Sequence, residues 1–600
     1  MRLIKRVLSI DLPSHVGQRV RVCGWLHALR SFGKMHFLIL RDRKGLSQII
    51  VQDAQDFARL RALQVGSVLT VLGDVSENDK AQLKVEVTHP EITIDVAITE
   101  PPLIEYVKPE IPYELDFILD HRALSLRNRK IQAIFTIQAE IAHAYRQYMH
   151  DIVGAVEYFS PNIIGASSEG GAEFFNVDYF GYTATLAQSS QLYKQVMVGV
   201  NERVFALMPF FRAEKSHTTR HLSEGKQFEF EMGFFDDWHE LMDIQEGAIK
   251  AILSHLKAFC ADALALLEGQ LIQAPLDVSF PRLTFKEALQ IYFERTGIDE
   301  RAEDDLSPAA EKELCQYVLE TYGTALVFVT DWKTSKRPFY SFPKPIQPEL
   351  TNTFDLLCAG TEITSGGQRR HTYEAMLEGI QLKAMDPASF EDYLSIFKFG
   401  MPMHGGFGMG LERLTMTLLK LENIREASLF PSDPKRIAGH RIKANIFYGA
   451  ENVRNEIIRL LRARDVSFTH QTEIDEASHD TNVVRIKALI LKGKQSKKNY
   501  QFNLPFHLKI DMKRVAELVG EKCEFETAEV IEERYGLKVG GIPPWGLLLN
   551  LETYYDASIS VAASPVGFNV GLATESVILS GAELIQLVAP VVAQFALIDH

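Results

Sequence analysis

Phe211-Arg212-Ala213-Glu214, then Thr219-Arg220-His221-Leu222-Ser223-Glu224, and about 190 residues on Gly405-Gly406-Phe407-Gly408-Met409-Gly410-Leu411-Glu412-Arg413, decide how this chain is read. The first block sets Arg212 beside an acid on a β-rich run and follows it with a polar loop carrying further cations. The second is a Gly-rich run that lets Arg413 approach a bound group closely. Phosphate oxygens that gather negative charge are stabilised better by fixed guanidinium groups than by water. Either block alone is a common pattern. Their order and spacing make them informative.

The composition around them is ordinary. A chain of 600 residues implies several domains, because single cores rarely grow beyond ~300 residues. Hydrophobic residues at 46% and charged residues at 24% describe a globular protein. The net charge of −14 argues against a general polyanion binder, so any nucleic-acid contact must use local basic patches. Cys23, Cys260, Cys315, Cys358 and Cys523 are scattered without a CxxC pair, which points away from a zinc knuckle and toward a reducing cytoplasm. His217 and His221 lie four apart, but no third ligand is close in sequence, so zinc is not expected. No apolar run approaches ~20 residues and no signal-peptide pattern opens the chain, so it is expected to be cytoplasmic and off the membrane.

Residues 1–103 read as short β-rich runs, Arg19–Trp25, Met35–Leu40, Gln48–Val51 and Ser67–Leu72, separated by Gly and charged turns. That pattern suits an OB barrel. Pro101, Pro102, Pro109 and Pro112 stiffen a hinge over 104–115. Ile134, Ile137, Ile141, Tyr145 and Tyr148 recur at helical spacing ahead of a strand ending at Ser160-Pro161. No GxGxxG follows a strand, so a Rossmann fold is not expected.

Taken together, these blocks resemble motifs 2 and 3 of class II aminoacyl-tRNA synthetases, and the helix before Ser160-Pro161 resembles motif 1, which forms the dimer interface in that family. From about residue 1 to Arg436 the resemblance is to the aspartyl branch in its archaeal and eukaryotic form, closing on Leu421 to Asp433. It implies an α+β multidomain chain: an N-terminal OB-fold barrel (1–103), then an antiparallel-sheet catalytic core flanked by helices (116–438). Residues 445–600 resemble YbaK and prolyl-tRNA deacylase-like α/β domains through Arg485 to Leu491, Gly536 to Gly546, Asp556 and Phe568 to Gly571.

The site residues follow from the resemblance. Glu169, Gln191, Lys194, Arg212, Glu229, Ser365 and Arg369 would hold aspartate, with Lys194 and Arg369 on its side-chain carboxylate. Asparagine would leave a buried cation unmet, at ~3–5 kcal/mol. Arg212 would hold the α-phosphate of ATP and Glu214 the adenine amine. Arg220 and His221 would meet the outer phosphates beside Leu222 and Gly410, and Arg413 the γ-phosphate, with Arg212 and Arg413 the catalytic pair. Glu362 and Ser365 match a Mg²⁺ site. Ser190 stands where the family usually has Pro, which is expected to loosen that loop. Gly225 stands where many relatives carry the aromatic that stacks on adenine, so Phe228 is the expected substitute. In the barrel, Arg30, Phe37 and Gln48 match anticodon-reading positions, although Phe37 also fits the barrel core. His27 matches relatives that charge both tRNA-Asp and tRNA-Asn, while Gln82 lies near a Pro of those relatives that this chain lacks. In the last domain, Gly540, Gly541 and Pro543 would turn backbone N–H groups toward an acyl carbonyl, and Lys487 would offer a cation.

The implied activity is ATP-dependent ligation of L-aspartate to tRNA-Asp, with tRNA-Asn as a further acceptor, by a homodimer carrying an appended deacylase or tRNA-gripping domain. An asparaginyl-tRNA synthetase is the nearest alternative, disfavoured by Lys194. An aspartate-amidating paralogue would need no barrel to read an anticodon. A tRNA-binding regulator without ligase chemistry would not need Arg212, Glu214 and Arg413.

Overall fold

The computed structural model describes residues 4–33, 35–165, 174–213, 218–441, 449–464, 466–472, 482–560 and 565–597. They form two compact units, Met1–His440 and Arg441–His600. The first opens with a closed barrel of β1 (Arg19–Phe32), β2 (Met35–Arg41), β3 (Leu46–Val51), β4 (Val68–Glu77) and β5 (Val85–Val96), in the order β1-β2-β3-β5-β4. Alternation dictates its core: Val20, Val22, Leu26, Leu38, Leu40, Ile49 and Val51 point inward. The four strand runs expected from sequence are there, and β5 completes the closure.

The rest of this unit is built on an eight-stranded sheet. In chain order its strands are β6 (Val156–Glu157), β7 (Arg203–Phe211), β8 (Glu224–Gly233), β9 (Arg282–Thr284), β10 (Leu326–Thr330), β11 (Thr353–Cys358), β12 (Thr361–Gln368) and β13 (His404–Gly410). The spatial order is β9-β10-β11-β12-β13-β8-β7-β6. The six central strands pair antiparallel, as expected, while both edge strands, β6 and β9, pair parallel to their neighbours. Each edge is reached by a helical crossover, and such a connection brings the next strand back in the same direction.

Helix α1 (Arg129–Gln147) starts where the Asn128 side chain accepts the N–H groups of Lys130 and Ile131. It buries Ile134, Ile137, Ile141 and Tyr145 against α3 (Glu240–Phe259) and one face of the sheet. Parity divides β8 between two jobs. Phe228, Phe230 and Met232 enter that core, so Gln227, Glu229 and Glu231 face the other way. Two further helices matter to the open face, α2 (Gln191–Asn201) and α4 (Leu411–Leu418).

The second unit has a mixed eight-stranded sheet centred on the antiparallel pair β14 (Val484–Gly493) and β15 (Asn499–Pro505). Val566–Asn569 runs parallel to β14, and Glu552–Asp556 parallel to β15. Its two apolar clusters lie on opposite faces of β14, with Ile486 and Ile490 in one and Leu491 in the other.

Candidate active site

A cavity of about 300 Å³ opens on the face of the sheet that carries Gln227 and Glu229. Gln191, Lys194, Arg212, Arg220, His221, Leu222, Glu229, Glu362, Ser365, Arg369, Gly410 and Arg413 all line it. The fold therefore gathers, from α2, β8, β12, β13, α4 and the segments that follow β7 and β12, every described residue that sequence assigned to amino acid, nucleotide or metal except Phe228. Glu169, Gly170, Gly171, Glu214 and His217 lie outside the described residues.

The deep end of the cavity is ionic. Lys194 is 1% exposed, and its ammonium donates to Glu229 at 2.8 Å and lies 3.3 Å from Glu231. Arg369 donates to the two oxygens of Glu231 at 2.9 and 3.3 Å and to the Gly406 carbonyl at 2.9 Å. Burial alone would push the Glu231 carboxyl up, yet Arg369 and Lys194 hold it below its usual value. Two cations and two carboxylates thus balance in a buried pocket. Sequence reasoning missed Glu231, whose role appears only once β8 lies beside α2. Glycine is required at 406, because a Cβ there would lie 2.0 Å from the Phe230 carbonyl oxygen.

Helix α2 is tied down on both sides. The Tyr393 hydroxyl and the Gln191 amide donate to Gln195 Oε1, and Gln195 Nε2 donates to His404 Nε2. Burial pushes His404 down to about 4, so it accepts as a neutral ring while Nδ1 donates to the Pro402 carbonyl. Ser190, expected to loosen the loop, does the opposite. Its hydroxyl sits 2.6 Å from that of buried Tyr158, and its carbonyl accepts the Lys194 N–H.

At the outer end Arg212 reaches over the Phe210 ring, 5.2 Å from its centroid, and makes no ion pair among the described residues. Phe228 cannot reach a nucleotide, being wholly buried against Tyr145 on the other face. Phe210, by contrast, lines the cavity. It lies directly across from Gly225, and a Cβ on Gly225 would strike its ring at 2.6 Å. Arg220 pairs with Glu311 at 2.8 Å, and His221 Nδ1 bonds to the Thr218 hydroxyl.

Arg413 donates to the Glu362 carbonyl at 3.1 Å and lies 4.0 Å from its carboxylate. Burial and then Asp355 push the Glu362 carboxyl up to about 7. Asp355, also missed from sequence, faces Ser365 across β11 and β12, and its Oδ1 has no hydrogen-bond partner among the described residues. Arg337 donates to both Asp355 and Ser365. Among the described residues no three His, Cys, Asp or Glu are set to hold a metal.

On the barrel, Arg30, Phe37 and Gln48 share the outer face. Phe37 is half-buried there against Phe32, on the opposite strand face from core residues Leu38 and Leu40. Gln48 donates to Glu86. His27 is half-buried; burial, Arg41, Arg129 and Arg30 together lower it to about 4. Gln82 is exposed on the turn between β4 and β5.

In the second unit Lys487 donates to the Phe506 carbonyl. As an odd residue of β14 it shares the face of Leu489 and Leu491, whereas Ile542 and Trp545 pack on the other face. The Gly540-Gly541 turn is held by Asn569, which donates to the Gly540 carbonyl, and by the Gly571 N–H on the Gly541 carbonyl. The Gly541 N–H is spent on Lys538, leaving those of Gly540 and Ile542 without a partner among the described residues. Pro543 offers its carbonyl to Gln501. Asp556 is a structural acid, accepting from Ser558, Phe595 and Ala596.

Residues 114–434 match tRNA synthetases class II (D, K and N), residues 20–95 an OB-fold nucleic acid binding domain, and residues 461–587 an aminoacyl-tRNA editing domain. The chain is 42% identical to the aspartate–tRNA(Asp/Asn) ligase of Thermus thermophilus, over 72% of this chain and 99% of that one. It is 38% identical to the aspartate–tRNA(Asp) ligase of Pyrococcus furiosus, over 70% and 96%. Among solved structures, asparaginyl-tRNA synthetase from Pyrococcus horikoshii, complexed with asparaginyl-adenylate, superposes with a TM-score of 0.67 at 30% identity, covering 72% of this chain and 100% of that one.

Proposed function

The chain belongs to the class II tRNA synthetases of the D, K and N group, and on that premise we propose that it activates L-aspartate with ATP and transfers it to tRNA-Asp and tRNA-Asn. One observation carries the choice of aspartate. Lys194 and Arg369 bring two cations to the buried end of the cavity. Once Glu229 turns to the substrate ammonium, a side-chain carboxylate restores the balance at Lys194 and Arg369, whereas the neutral amide of asparagine leaves the pocket one negative charge short. The fold itself does not decide, since an asparaginyl enzyme shares it.

In the first step an oxygen of the aspartate α-carboxylate bonds to the α-phosphorus and pyrophosphate leaves. Glu229 holds the substrate ammonium together with Glu169, and Gln191 lies beside them. Arg212 stabilises charge on the α-phosphate, and Arg220, His221 and Arg413 hold the outer phosphates. Phe210 offers the purine a stacking face, Glu214 meets its amine, and Leu222 and Gly410 border it. Glu362 and Ser365, with Asp355 beside them, would hold Mg²⁺, which supplies charge neutralisation at the phosphates. In the second step the tRNA 3′-terminal hydroxyl attacks the aspartyl carbonyl, loses its proton, and AMP leaves.

Arg30, Phe37 and Gln48 read the anticodon by stacking and edge contacts, and His27, with Gln82 nearby, leaves the last base unselected. Exposed Ile152, Val156, Phe159 and Ile163 beside edge strand β6 support a homodimer. The five free cysteines suit a reducing cytoplasm. Residues 441–600 act as an aminoacyl-tRNA deacylase, with the N–H groups of Gly540 and Ile542, in the turn that carries Gly541 and Pro543, directed to the ester carbonyl; Lys487, expected from sequence to be its cation, lies on the other face of β14 and is not assigned to that step.

ATP–pyrophosphate exchange across a panel of amino acids tests the ligase reading. Aspartate should support exchange at least ~10³-fold better than asparagine, and Lys194→Leu should abolish it. Equal exchange with both amino acids would refute the assignment of Lys194.

A further inference from the structure

Arg127 and Arg129 lie near Arg41, where the outer face of the barrel meets the start of α1, and among the described residues no carboxylate pairs with the three. Trp25 and Arg41 oppose each other across β1 and β2, with the guanidinium 4.9 Å from the indole centroid. Arg41 is buried, and Nη1 reaches Gln132 of α1 at 3.4 Å. Arg127 lies over the Tyr106 ring, and Arg129 opens α1. Arg30, opposite Phe37, lies three residues beyond His27.

Among the described residues none of Arg30, Arg41, Arg127 and Arg129 makes an ion pair. Asp42 is close in sequence, but Ser9, Lys44 and Gly45 occupy its oxygens with four donated hydrogen bonds. A buried guanidinium without a paired anion is costly. Here burial, with Arg127 and Arg129 as like charges, lowers the Arg41 pKa. An arriving anion relieves that crowding. A guanidinium fork suits phosphate, which accepts two parallel hydrogen bonds.

The cluster continues the barrel face that bears Arg30, Phe37 and Gln48, so a nucleic-acid strand lying on those residues runs on past His27 to Arg41. We propose that Arg41, Arg127 and Arg129 form a phosphate-anchoring site for the tRNA backbone, distinct from the side chains that read bases. This rests on the reading of tRNA as substrate. The site positions the strand and carries no sequence information.

The test is binding of a tRNA-Asp transcript to the full-length protein over a range of salt concentrations, for wild type, Arg129→Gln and Arg41→Gln. Arg129 is half-exposed, so its variant keeps the test decisive if Arg41→Gln folds poorly. At ~0.1 M salt each variant should bind roughly tenfold more weakly, with the slope of log K against log salt shallower by about one. The loss should be equal for a transcript with an altered anticodon, and aspartate-dependent ATP–pyrophosphate exchange should stay at wild-type rate. A wild-type slope in Arg129→Gln overturns the site, as does a loss confined to the native anticodon. No tRNA binding by wild type overturns the substrate reading and this site with it.

Discussion

Glu412 shows how a single side chain in this site trades charge for position. It is buried at the start of α4, where both carboxylate oxygens accept the Lys226 N–H, at 2.9 and 3.2 Å. Burial raises its carboxyl to about 7 from an ordinary 4.5, against the opposing pull of that N–H. Between those values the folded chain keeps a proton that the unfolded chain has lost, so stability falls as pH rises through that window and stays lower above it. Glu412→Gln keeps the acceptor and removes the charge. Its gain over wild type should be near zero at pH 4.5 and grow to on the order of 2–3 kcal/mol at pH 8. Urea unfolding at the two pH values measures this, and an equal difference at both would show that Glu412 does not titrate in that window. Phe210 makes a parallel point. Its aromatic face is available only because position 225 has no side chain to collide with it.

Helix α2 shows how an element inherits its placement from a distant contact. Lys194 is aimed by the first turn of α2, and that turn is held by the hydrogen bond between Ser190 and Tyr158 at the end of edge strand β6. Losing this bond costs ~1 kcal/mol in a buried site. Tyr158→Phe should therefore raise the aspartate KM about fivefold in pyrophosphate exchange, with kcat near wild type. Tyr158→Phe with Ser190→Ala should be little worse than either alone, and fully additive losses would show that the two residues act separately. Sequence spoke for elements where one rule prevailed. Alternating Val and Leu marked four barrel strands, and the spacing of Ile134, Ile137 and Ile141 marked α1. It was silent where partners meet only across the fold. β5 is interrupted by His89-Pro90 in mid-strand, with His89 at positive φ. Asp355 gains meaning only opposite Ser365, and Glu231 only between Lys194 and Arg369. The choice between Phe228 and Phe210 turned on strand parity, which the register of β7 against β8 sets.

At the scale of the whole molecule, the two units keep separate cores. Every apolar cluster of Met1–His440 is made of residues no later than Ala427, and both clusters of Arg441–His600 use only residues from Ala450 onward. Every described residue that lines the 300 Å³ cavity belongs to the first unit. Each unit therefore has an apolar core of its own, which is what a domain needs to fold by itself. A chain ending after His440 should form aspartyl-adenylate within about twofold of the full-length rate. The full chain, by contrast, should hydrolyse an aminoacyl-tRNA that the shortened chain leaves intact, and Lys487→Ala in the full chain should leave that hydrolysis near wild type, because Lys487 lies across β14 from the Gly540-Gly541 turn. Exchange and hydrolysis assays on the three proteins separate the activities. Loss of adenylate formation on truncation would show that the first unit depends on the second. Hydrolysis surviving in the shortened chain would place that activity in the ligase cavity.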